Sequence, residues 1–166
     1  EYFYLDNGQL SWLEIYIRGK FVGEIVYKYY ENGQIEYEEN YKNDKLDGKW
    51  IRWYENGQKH FDGNYTNGKV NGKWTSWYEN GQISGEDNYK DGKLEGKQTI
   101  WHENGQIKEE RFYENDKLVS RTKYRYFENG QIEREFSSKD DKLDGMWTEW
   151  YKNGQKAFEG NYKDDK

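Results

Sequence analysis

The chain of 166 residues contains no cysteine and no proline. The first absence excludes disulfides and thiolate metal sites and leaves the redox compartment open. The second removes the residue that cannot donate to a strand ladder, which agrees with strands paired on both sides. Hydrophobic residues are also scarce, at 33% against 35% charged, with a mean hydropathy of −1.45. No apolar run reaches the length of a membrane-crossing helix, no signal peptide is visible, and no stretch sustains a helical period. Basic residues are outnumbered by acidic ones, 26 to 32, for a net charge of −6. That balance argues against nucleic acid and against anionic membranes as partners.

What is abundant is aromatic, 19% of the chain, and this separates it from disordered polar sequences of similar hydropathy. Half-buried tryptophan, tyrosine and phenylalanine each contribute about 1.5–3 kcal/mol of transfer energy, so the expected core is thin and aromatic. An Asn-Gly-Gln triplet recurs at Asn7, Asn32, Asn56, Asn80, Asn104, Asn129 and Asn153, with spacings of 25, 24, 24, 24, 25 and 24 residues. Seven repeats therefore fill the chain as one array over residues 1–23, 24–48, 49–72, 73–96, 97–120, 121–145 and 146–166. The first residue is glutamate, and the chain opens partway into a repeat and ends in a connecting loop. This reads as a fragment or processed form, leaves room for a removed leader, and tilts localisation towards a secreted or surface protein.

Asn-Gly suits both central positions of a type I′ turn, so each triplet is expected to be a two-residue hairpin tip. Counting outward from Asn56-Gly57 predicts that Trp53 faces His60, Arg52 faces Phe61, Ile51 faces Asp62 and Trp50 faces Gly63. Alternation along the strands then divides the side chains. One face takes Trp50, Arg52, Tyr54, Lys59, Phe61, Gly63 and Tyr65, with Trp74 and Trp147 in the matching slots. The other takes Ile51, Trp53, His60 and Asp62. The first face reads as core, with Trp50 and Trp147 expected to lie over Gly63 and Gly160. The connecting loops place Asn-Gly or Asp-Gly at the opposite turn and drop one aliphatic inward, Val70 or Leu94. The expected fold is all-β, an elongated single-layer antiparallel meander of seven stacked β-hairpin repeats. It would be roughly 65–70 Å long at ~4.8 Å per strand.

The segment Gly63-Asn64-Tyr65-Thr66-Asn67-Gly68-Lys69-Val70-Asn71-Gly72-Lys73-Trp74 resembles the MORN repeat, with its spaced Tyr-x-Gly and Gly-x-x-x-Gly signature. Together with the Trp-Tyr-Glu-Asn-Gly-Gln tip it is similar to the bacterial variant of that repeat, across essentially the whole chain. The resemblance implies an open antiparallel sheet of hairpins. It also implies a non-enzymatic role: scaffolds, dimerisation or partner-binding modules and phospholipid binders occur in the family, as do antitoxin-labelled and surface-exposed bacterial members.

The residues themselves agree with the absence of catalysis. His60 and His102 occupy different slots, and carboxylates recur in every repeat without a unique convergent pair. No cofactor is implied. The acidic loops Asn43-Asp44, Asn115-Asp116 and Asp140-Asp141 have calcium-compatible oxygens, but the same residues serve left-handed turns, and no metal site is assigned. Candidate binding residues are the second-face tryptophans Trp53, Trp77, Trp101 and Trp150, with His60, Asp62, Glu86, Glu110 and Glu159 beside them. The expected partner is a protein, a second copy of the chain included. The alternative is a carbohydrate or choline-type ligand stacked on tryptophan.

Overall fold

The computed structural model describes residues 1–140 and 142–166. The chain divides into two compact units, Glu1–Lys93 and Leu94–Lys166. The first holds β1 (Tyr2–Tyr4), β2 (Leu10–Ile17), β3 (Lys20–Tyr29), β4 (Ile35–Lys42), β5 (Lys45–Trp53), β6 (Lys59–Thr66), the two-residue β7 (Lys69–Val70), β8 (Gly72–Trp77) and β9 (Ile83–Lys90). After β10 (Lys93–Leu94), the second unit holds β11 (Gly96–Trp101), β12 (Ile107–Glu114), β13 (Lys117–Tyr126), β14 (Ile132–Lys139), β15 (Lys142–Trp150) and β16 (Lys156–Tyr162). Within each unit the strands follow one another in chain order as an open antiparallel meander, with β7 a short extension paired to β6. No helix occurs among the described residues. The all-β hairpin meander read from the repeat is the fold observed.

The hairpin tips differ in detail from the expected turn. Tyr54 N–H donates to the Gln58 carbonyl at 2.8 Å and Gly57 N–H to the Tyr54 carbonyl at 2.9 Å. The loop is therefore three residues, Glu55-Asn56-Gly57. Only Gly57 has a positive φ, +84°, and Asn56 does not. This is a tight turn followed by one left-handed residue, the second commonest hairpin closure. Asn56 serves it through its side chain: the Gln58 N–H donates to Asn56 Oδ1 at 2.9 Å. The longer loop shifts the register between Arg52 and Trp53, so Trp53 pairs with Lys59 and not with His60. From Arg52 inward the expected pairing holds, with Arg52 opposite Phe61, Ile51 opposite Asp62 and Trp50 opposite Gly63.

The two-residue turn with both positions at positive φ is found at the other end of the strands. Asn67 and Gly68 have φ of 51° and 79°, and Asp91 and Gly92 have 53° and 85°. Thr66 pairs with Lys69 across the first of these loops. Each such loop also ties to its neighbour: Gly68 N–H donates to the Leu46 carbonyl at 2.7 Å and Gly92 N–H to the Val70 carbonyl at 2.8 Å. The inward aliphatics therefore mark a backbone contact between repeats.

One sheet layer leaves little to bury. Ile51, 5% exposed, is the one hydrophobic side chain that counts as buried among the described residues. Three polar side chains, Thr99, Glu109 and Thr148, are buried as well. Stability in such a layer comes from ring stacking, cross-strand pairs and the ladder bonds.

Candidate functional site: two faces of the sheet

In the first unit, one face is a continuous aromatic packing. Trp50 stacks on Trp74 with centroids 5.3 Å apart, Phe61 lies 6.5 Å from Trp74, and Tyr65 meets Trp74 edge-on at 5.7 Å. The ring over Gly63 belongs to Trp74, whose six-membered ring fills the space a Cβ there would take. Trp50, although paired with Gly63 along the backbone, leans towards Trp74 instead. In the second unit, Gly160 is covered by Phe158 and Tyr162, while Trp147 packs between Phe136 at 5.6 Å and Tyr162 at 5.9 Å. The expected placement of Trp50 and Trp147 over these glycines is thus corrected. An indole reaches further than its own cross-strand partner and settles on the next ring.

His60 belongs to this aromatic face. It stacks on Tyr54 at 4.0 Å and touches Phe61 at 3.9 Å. The bulge at the tip removes it from Trp53 and turns it away from the second-face tryptophans. Burial lowers its pKa, and the nearby Arg52 lowers it further, against a smaller opposing effect of Glu79.

On the opposite face of the first unit lie Trp53, Trp77, Asp62 and Glu86. Both tryptophans are half-buried, as are Trp50 and Trp74, so the two sets differ in what they touch and not in burial class. Trp53 and Trp77 make no ring-to-ring contact among the described residues, whereas Trp50 and Trp74 are stacked. Lys59, expected beside Trp50 and Phe61 on the first face, is carried to this face by the tip bulge that pairs it with Trp53, and its Nζ sits 5.6 Å from the Trp77 ring centroid. The same ammonium bonds Asp62 at 2.5 Å, and Lys73 bonds Glu86. The second unit repeats the device: Lys97 bonds Glu110 at 2.5 Å and Lys156 bonds Glu159. Glu110 also accepts a 3.1 Å hydrogen bond from the Tyr124 hydroxyl, whose pKa is raised by burial and by Glu110 and Glu135. Trp101 and Trp150, half-buried, end β11 and β15 on this face. Each acid flanking a second-face tryptophan is therefore neutralised by a lysine of its own repeat. The face is a strip of indoles edged by lysine–carboxylate pairs.

No group of three or more His, Cys, Asp or Glu side chains among the described residues is placed to hold a metal ion. The loop acids have backbone tasks: Asp116 Oδ1 accepts the Leu94 N–H at 2.7 Å, and Glu95 accepts the Asn115 N–H at 2.8 Å. Asp141 of the third loop lies outside the described residues.

One cluster was missed in the sequence reading. Glu109, 5% exposed, is bonded by Arg111 Nε at 2.8 Å and approached by Arg121 at 3.5 Å. The signal was available: six arginines occur in the chain, and Arg111, Arg121, Arg125 and Arg134 are four of them.

Successive hairpins with one tip chemistry, tied by turn-to-carbonyl bonds and lacking a convergent catalytic group among the described residues, define a β-hairpin repeat protein. The profile of the MORN repeat variant matches residues 25–43, 46–67, 70–91, 94–115, 122–140 and 143–164, and the chain belongs to that family. No curated protein matches the chain. The family is a non-catalytic repeat module, a scaffold of the kind used in protein or membrane interactions.

Proposed function

We propose that the chain is a non-enzymatic scaffold that binds another protein through the indole and lysine strip, with Trp53 and Trp77 as anchors in the first unit and Trp101 and Trp150 in the second. The observation that carries this reading is the division of labour between the tryptophans. Trp50 and Trp74 are consumed in ring stacking, while Trp53 and Trp77 make no ring contact among the described residues and are left with lysine and carboxylate neighbours. Aromatic anchors edged by polar groups are the usual composition of a protein-binding patch. An antitoxin-type role with a toxin as partner, or a surface module that contacts a host protein, is one form of the same reading. Capture of a quaternary ammonium is the weaker choice, because Lys59 already lies over the Trp77 ring.

The test pairs recovery of a partner from the native source with titration of that partner against variants. Trp77→Ala is expected to weaken the complex by about 2 kcal/mol, roughly thirtyfold, with the folded sheet intact by circular dichroism. Undiminished affinity in both Trp77→Ala and Trp53→Ala would remove the strip from the interface. Sedimentation of the chain alone tells a second copy from a different protein.

A further inference from the structure

A cavity of about 400 Å³ opens on the second unit, lined among others by His102, Lys108, Glu109, Lys123, Arg125 and Phe136. Its position follows from the repeat. Lys123 stands six residues before Asn129, and the residues six before Asn56, Asn80 and Asn153 are Trp50, Trp74 and Trp147. The neighbouring repeat has Gln98 in that slot, and Gln98 accepts a hydrogen bond from Arg111 at 3.2 Å. Where the third, fourth and seventh repeats place an indole, the fifth and sixth place Gln98 and Lys123 and leave room lined with cations.

The charges do not cancel. Glu109 is the one carboxylate among those six residues, and Arg111 and Arg121 already engage it. Lys108, Lys123 and Arg125 have no ion-pair partner among the described residues. Arg125 lies directly opposite Arg134 across β13 and β14, and like charges so placed are destabilising. Arg134 is held by Glu149 at 2.9 Å and lies over the Trp147 ring at 5.0 Å, so its own countercharge is spent. A net acidic chain thus keeps a local excess of positive charge.

We propose that this cavity is the docking site for an extended acidic segment of a partner protein, an assignment that rests on the protein-binding reading and gives it a chemistry. Lys123 and Arg125 are alternate residues of β13, so they share a face at ~6.6 Å. Successive same-side carboxylates of an extended chain have that same separation. Phe136, directly across from Lys123, supplies apolar contact for an adjoining side chain. The site has one wall only, a sheet face, so a small anion bound there would stay hydrated and weakly held. A segment meeting several cations at once gains from each of them.

The experiment is fluorescence anisotropy of the full chain with a labelled peptide carrying glutamate at alternate positions and one phenylalanine. Its counterpart has glutamine in place of every glutamate. Binding is expected to saturate, to exceed that of the counterpart, and to weaken with salt. The Lys123→Glu/Arg125→Glu variant should bind about tenfold or more weakly, Lys123→Gln/Arg125→Gln should fall between it and the parent, and Lys90→Glu in the first unit should match the parent. Melting curves confirm that each variant is folded. Equal binding of the two peptides, or parental affinity in the charge reversal, overturns the proposal. So does sedimentation of the chain with phosphatidylserine vesicles without peptide binding, which makes the occupant a lipid surface. A recovered partner lost with Trp77→Ala but kept by the charge reversal sinks this inference alone. One kept by the tryptophan variants and lost by the reversal supports it and removes the indole strip.

Discussion

The Tyr54 hydroxyl donates a 2.7 Å hydrogen bond to the main-chain carbonyl of Trp77, and one repeat earlier Tyr30 does the same to Trp53 at 2.8 Å. The accepting carbonyls sit where the register shifts at the strand end, so the tyrosine of one tip ties down the bulge of the next. Tyr54→Phe should cost about 0.5–1.5 kcal/mol, the net worth of such a bond. Urea denaturation should show a lower midpoint at unchanged slope. An unchanged midpoint would mean that water serves the carbonyl equally well.

The tip geometry makes unequal demands on Asn56 and Gly57. Gly57→Val forces a β-branched residue to φ near +84°, at a cost of about 1–3 kcal/mol. Asn56→Gly keeps the backbone accessible and loses only the side-chain bonds to Gln58 N–H and to the Glu79 carbonyl. It should cost less, about 1 kcal/mol. Thermal melts in which the asparagine variant is the more damaged of the two would contradict a loop with a single left-handed residue.

Gly63 has no room for a side chain. A methyl group there would enter the Trp74 ring, so Gly63→Ala should destabilise by about 1–3 kcal/mol through overpacking. Trp74→Ala removes the obstacle along with the stack. The double variant Gly63→Ala/Trp74→Ala should therefore lie closer to Trp74→Ala than additivity allows, which a double-mutant cycle of unfolding free energies measures directly. Strict additivity would separate the two residues.

His60 makes the stability of the first unit sensitive to acid. Its folded-state pKa is depressed by burial and by Arg52, whereas in the unfolded chain it titrates near 6.5. Above that value both states are neutral there and His60 contributes no pH dependence. As pH falls below about 6.5 the unfolded chain takes up the proton first, so stability declines until pH passes below the folded value. An NMR titration of the His60 ring should give a midpoint under 6.5, and His60→Gln should flatten the pH dependence of unfolding in that window. A midpoint above 6.5 would reverse the sign.

Much of this was legible in the repeat. A 24-residue period, strand alternation and Asn-Gly turns are local properties, and they lead directly to the hairpin meander and to the pairing of Trp50 with Gly63. The tip was misread because Asn-Gly is compatible with two closures. The closure that forms is held by bonds within the tip, such as the Gln58 N–H to Asn56 Oδ1 at 2.9 Å, which period and alternation alone do not reveal. One inserted residue then carried His60 to the other face, as a change of register must. Trp74 over Gly63 was missed for a related reason: strand pairing locates Cα atoms, while an indole extends past its partner.

The amino-acid sequence by itself determined the repeat, the strands, the two faces and the chemical character of each, because period and alternation act over a few neighbouring residues. Tertiary structure decided which lysine neutralises which carboxylate, which tryptophans are taken up in stacking, and that a net acidic chain carries a cation-lined cavity around Lys123 and Arg125. Those outcomes depend on ring direction and cross-strand register, and both are settled only when adjacent repeats pack against each other.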